Sequence, residues 1–152
     1  MHRLLSLAGL VIALTAASAA SYADQTPASG TLTIVMSAES GSKLEGVATV
    51  ADAGDSKHPA VTVTILYANT MFIPETQYPT EIRAGKCGDV NSVHAYSLTA
   101  VQGGRSVTTL KGASLAKLLA HPYAINVHAS NAIERYLSCG EIARPSASPS
   151  PH

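Results

Sequence analysis

Leu32-Thr33-Ile34-Val35-Met36 and Val61-Thr62-Val63-Thr64-Ile65 decide the class of this fold. In both, apolar and polar residues alternate with period two, and Thr and Val dominate. Successive side chains of an extended chain point to opposite faces, so such a segment predicts a strand with one buried face. Residues 44–51, 81–84, 94–101, 106–111, 123–128 and 135–139 read as further short strands. Turn-forming Gly41, Gly54 with Asp55, Gly85, Gly88 with Asp89, and Gly103-Gly104 separate them. Short strands at this spacing predict an all-β, antiparallel sandwich or barrel rather than alternating βαβ units. One segment breaks the pattern. Ser114-Leu115-Ala116-Lys117-Leu118-Leu119-Ala120 spaces its leucines helically, offers Ser114 as a cap and meets Pro122 just beyond its end. It predicts a single short helix covering an open end of the sheets.

Residues 1–23 read as a secretory signal peptide: His2 and Arg3, an apolar run from Leu4 to Ala17, then small residues. Ala17-Ser18-Ala19 and Ser21-Tyr22-Ala23 both fit the peptidase, so the mature chain begins at Ala20 or Asp24. The run is shorter than the 20 or so residues a membrane span needs, and no Cys follows it for a lipid anchor. The chain is therefore expected to be exported, periplasmic or secreted, with no membrane span after cleavage. Residues 30–143 form the predicted domain, and the Pro/Ser-rich residues 144–152 a disordered tail. Ten Lys and Arg balance ten Asp and Glu, and no basic stripe marks a nucleic-acid surface. Cys87 and Cys139 are the only cysteines, and in an oxidising compartment they read as one disulfide.

Three segments between Pro79 and Ile142 resemble the copper/zinc superoxide dismutase superfamily and its related chordin-type (CHRD) domains. Glu81-Ile82-Arg83-Ala84-Gly85-Lys86-Cys87 is similar to that group's His-x-His-x-Gly-x-Cys, with both histidines replaced. Tyr123-Ala124-Ile125-Asn126-Val127-His128 is similar to the strand ending in a copper-ligand His, and Cys139-Gly140-Glu141-Ile142 to the closing Cys-Gly-x-Ile, whose Cys pairs with the earlier one. The resemblance implies a Greek-key, immunoglobulin-like β-sandwich with one short helix and one disulfide.

The departures decide the function. Arg83 has no lone pair to give a metal and sets a positive charge beside it, so dismutase chemistry is expected to be lost. No catalytic residue is assigned, and no Gly-x-Ser-x-Gly elbow is present. The expected protein is a non-enzymatic exported scaffold or binding module without a cofactor, its partner an unidentified protein or small ligand. The alternative is a metal-binding protein, with a residual dismutase-like or metal-handling role, that holds copper or zinc through His94, His128 and Glu81. Met71-Phe72-Ile73-Pro74 reads either as an edge strand or packed loop, or as an exposed contact surface.

Overall fold

The computed structural model describes residues 30–54, 60–67, 73, 75–89 and 91–144. The expected leader, the tail beyond Arg144 and all of Met71–Pro74 except Ile73 lie outside them. The elements follow as β1 (Thr31–Ala38), β2 (Gly46–Asp52), β3 (Ala60–Tyr67), β4 (Gln77–Ala84), β5 (Val93–Gln102), β6 (Arg105–Lys111), α1 (Leu115–Leu119), β7 (Tyr123–Ala129) and β8 (Ala132–Glu141). The protein is mostly β. Each alternating segment is a strand: in β1, Leu32, Ile34 and Met36 are buried while Thr31, Thr33 and Val35 are exposed. Ser114 caps the one helix, its Oγ accepting from the Lys117 N–H at 3.2 Å. Leu115 and Leu118 turn into the core, and the Leu115 N–H donates to Asp52 Oδ1 at 2.9 Å, tying the helix to the end of β2.

All pairings are antiparallel, and the strands close into a barrel in the order β1-β2-β3-β6-β5-β4-β7-β8. Long ladders join β1, β2, β3 and β6 on one side and β5, β4, β7 and β8 on the other. The two seams between these halves are thin. The backbone ladder between β5 and β6 is the pair Gln102–Arg105, supplemented by the Thr99 N–H donating to Thr108 Oγ1 at 2.7 Å, and that between β1 and β8 is Ser37–Cys139 and Ala38–Ser138. Of the sandwich or barrel that the strand spacing predicts, the closed order is a barrel, and the short ladders join into one sheet the two layers that the family resemblance implies. At the first seam Gly103 and Gly104 both have positive φ, +57° and +82°, the backbone of a two-residue hairpin that leads β5 straight into β6.

Leu32, Ile34, Met36, Ile65, Ile82 and Ile125 lie at the centre of the core. β4 begins at Gln77, earlier than the alternation shows, because Pro79 interrupts it. Pro lacks a ladder N–H, and the β4–β5 register shifts there, between Tyr78 and Thr80. β7 is buried on both faces. Ile125, Val127 and Ala129 join the core, whereas Ala124, Asn126 and His128 point the other way and are nevertheless covered. The disulfide Cys87–Cys139, with Cα atoms 5.8 Å apart, fastens the loop after β4 to β8 on that outer side. Among the described residues no helix is long and apolar enough to cross a membrane.

Candidate functional site

Glu81 and Arg83 stand two residues apart on β4 and so share its outward face. The neighbouring strands bring their partners. Arg83 lies opposite His94 on β5 and Ala124 on β7, and Glu81 lies opposite Ser97 and Asn126. His128, two residues beyond Asn126 on β7, is 2% exposed and stacks against Tyr136 with ring centroids 4.8 Å apart. His94 and His128 thus gather with Arg83 around the Glu81 carboxylate. Glu81 Oε1 accepts from Arg83 Nη1 at 2.8 Å and from His128 Nε2 at 3.0 Å, while Oε2 faces His94 Nδ1 at 2.5 Å.

Arg83 and His128 have partners beyond Glu81 as well. Arg83 Nε donates to Ser92 Oγ at 2.8 Å and Nη2 to the Ser92 carbonyl, so the guanidinium clamps the end of the disulfide-bearing loop onto β4. His128 Nδ1 lies 2.5 Å from the Ile133 carbonyl oxygen. Both ring nitrogens of His128 thus lie against an oxygen, Nδ1 against the Ile133 carbonyl and Nε2 against Glu81. Burial pushes the Glu81 carboxyl up. Hydrogen bonds from Arg83 and His94, with the charges of Arg83 and His128, outweigh it and hold Glu81 below the usual carboxylate range. In return the Glu81 hydrogen bond, against the cost of burial, holds the Arg83 guanidinium above its ordinary value.

The arrangement does not fit a resident copper. A metal at Glu81 would displace or face the Arg83 guanidinium, which already holds Glu81 Oε1 at 2.8 Å. Among the described residues, Glu39, Cys87 and Cys139 are the metal-type trio whose ligand atoms come within 4.8 Å of one another, and both sulfurs are in the disulfide. Glu81, His94 and His128 do not draw their ligand atoms that close. What the cluster does is saturate one carboxylate: Arg83, His94 and His128 all contact Glu81, and the Ser92 and Ile133 carbonyls anchor Arg83 and His128 in turn. Beside it opens a groove of about 460 Å³ bounded by Thr80, Glu81, Ser97, Leu98, His128 and Ile133.

Sequence reading placed Glu81, Arg83, His94 and His128 in one region and missed Ser92 and the Ile133 carbonyl. Backbone acceptors leave no trace in residue type, and a Ser in a loop is too common to single out. The chain matches no protein-family model, no curated protein and no solved structure.

Proposed function

We propose that this is an exported, non-enzymatic binding scaffold of the copper/zinc superoxide dismutase and CHRD type, in which the strand that would hold copper has become a structural latch. The observation that carries the reading is the saturation of Glu81: both its oxygens are taken by side chains standing at, or beside, the family's ligand positions. Strand order supports the family resemblance. β3 returns to lie beside β6, and β7 beside β4, which makes two overlapping Greek keys. The short ladders between β1 and β8 and between β5 and β6 support reading the two halves as the layers of a sandwich, the architecture that dismutases share with immunoglobulin-like domains. The disulfide joins the two cysteines that the resemblance pairs. With the latch closed, the groove beside Glu81 and His128 is left as a concave surface for a partner or small ligand.

The alternative, a metal-handling protein, draws on the convergence of His94 and His128 upon Glu81. Thermal unfolding with and without added copper or zinc separates the two, because an ion that binds only the folded chain raises its melting temperature. The latch predicts no rise in the parent protein. A rise that vanishes in His128→Ala overturns it in favour of the metal site.

A further inference from the structure

The seam between β1 and β8 carries a second group of ligand-type side chains, apart from the latch. Ser37 lies opposite Cys139, and Glu39, two residues further along the chain, falls on the same face. The Glu39 N–H donates to the Leu137 carbonyl at 3.0 Å, which carries the contact with β8 one step past the ladder. A tight turn follows: the Ser42 N–H donates to the Glu39 carbonyl at 2.8 Å, with Ser40 and Gly41 at positive φ, +50° and +71°. Ser42 Oγ donates to the same Leu137 carbonyl, so both ends of the turn are tied to β8. The half-buried Glu39 carboxylate is held against the disulfide: one of its oxygens and the sulfurs of Cys87 and Cys139 all lie within 4.8 Å of one another. Among the described residues that carboxylate has no hydrogen bond or ion pair.

We infer that this trio is a zinc site that the disulfide keeps closed: once the Cys87–Cys139 bond is reduced, the two thiolates and the Glu39 carboxylate bind one Zn²⁺. Opening the bond takes two electrons and two protons. A dithiol supplies both, its own sulfurs closing to a cyclic disulfide while Cys87 and Cys139 become thiols. Zinc then displaces the two thiol protons, and two Zn–S bonds form with one Zn–O bond from Glu39. Tetrahedral zinc with Zn–S of about 2.3 Å holds two thiolates about 3.8 Å apart, a separation that side chains on α-carbons 5.8 Å apart take up by rotation. Thiolate ligands suit zinc over magnesium or calcium, which take oxygen. Charge favours the same ion. Two thiolates beside a carboxylate that nothing else neutralises repel one another, and a dication within their reach removes the repulsion. Three protein ligands leave a fourth position for water. Re-forming the disulfide consumes both thiolates and releases the ion, so occupancy follows the redox state of the pair. The site is separate from Glu81, whose oxygens face Arg83, His94 and His128.

Zinc and cobalt(II), each added to the protein before and after reduction by a dithiol that is then removed under nitrogen, test this. The reduced protein should take up one zinc per chain, release two protons for each, and melt at a higher temperature than without zinc. Cobalt in its place should give thiolate-to-metal charge-transfer absorption and the strong visible bands of tetrahedral coordination. The disulfide form should do none of this, whereas an ion held at Glu81 would bind both forms. Glu39→Gln, which leaves both cysteines in place, should weaken zinc binding to the reduced protein by roughly tenfold or more. Should reduction unfold the chain, zinc should restore its β-sheet circular dichroism, and failure to do so overturns the inference. Equal uptake by the oxidised protein, uptake that neither raises the melting temperature nor refolds the chain, or a Glu39→Gln variant that binds as the parent does overturns it as well.

Discussion

Replacing Arg83 by Ala removes three hydrogen bonds at once: one to Glu81 Oε1 at 2.8 Å, one to Ser92 Oγ at 2.8 Å and one to the Ser92 carbonyl. Hydrogen bonds to charged groups contribute about 1.5–3 kcal/mol each when buried. The three share one guanidinium, however, and its side chain is 22% exposed, so water takes up part of the loss. Glu81 keeps its two histidines. A net cost of about 2 kcal/mol follows, which in a domain of this size lowers the melting temperature by roughly 6–8 °C. Arg83→Lys should fall between parent and Ala, because an ammonium keeps the charge but cannot reach Glu81 and both Ser92 acceptors together. Calorimetry on the three proteins, with metal content determined on the same samples, reads both effects. The reasoning is refuted if Arg83→Ala melts with the parent, and most sharply if it also acquires one copper or zinc per chain. Arg83 would then be blocking a competent site rather than holding a loop.

Reducing Cys87–Cys139, or replacing both by Ser, should cost about 4 kcal/mol in the chain-entropy model for a separation of 52 residues, read as a lowered denaturant midpoint; no change would show that the Arg83–Ser92 clamp alone holds the loop. Because the folded Glu81 carboxyl sits below its unfolded value, its contribution to stability is complete above the unfolded value and disappears as pH falls through the folded one. Acid unfolding below the ordinary Glu value of about 4.3 should therefore be shallower in Glu81→Gln than in the parent, and parallel curves would contradict the latch. Gly140→Ala should destabilise by about 1–3 kcal/mol, since its Cβ would lie 2.7 Å from Ile34 Cγ2, Met36 Sδ and the Val35 carbonyl oxygen, forcing β1 and β8 apart; an unchanged melting temperature would show that the seam yields easily.

Alternation was legible where one face of a strand is buried and the other wet, as in Leu32 to Met36. It fails at the start of β8, where Ala132, Ile133, Glu134 and Arg135 are all exposed, so that strand reads as beginning only at Arg135. β7 shows the opposite case: both faces are buried, and only a run of apolar residues with one Asn and one His marks it. Which of sandwich or barrel forms was beyond reading, because closure rests on one ladder pair at the Gly103-Gly104 hairpin and two beside Gly140. At the site, the spacing of Glu81 and Arg83 already implies a shared face, and on that face Arg83 bonds to Glu81 and to the Ser92 carbonyl. That His94 and His128 both turn toward the same carboxylate depends on the pairing of β4 with β5 and β7, which residue types alone do not encode.

In the latch proposed above, the side chains gathered at Glu81 satisfy one another and leave nothing for a metal. That is tested most directly by the metal-to-protein ratio of the exported chain, purified without chelator and read by elemental mass spectrometry beside His128→Ala. The latch predicts far less than one copper or zinc per chain in both. A full equivalent in the parent that is lost in His128→Ala would contradict it.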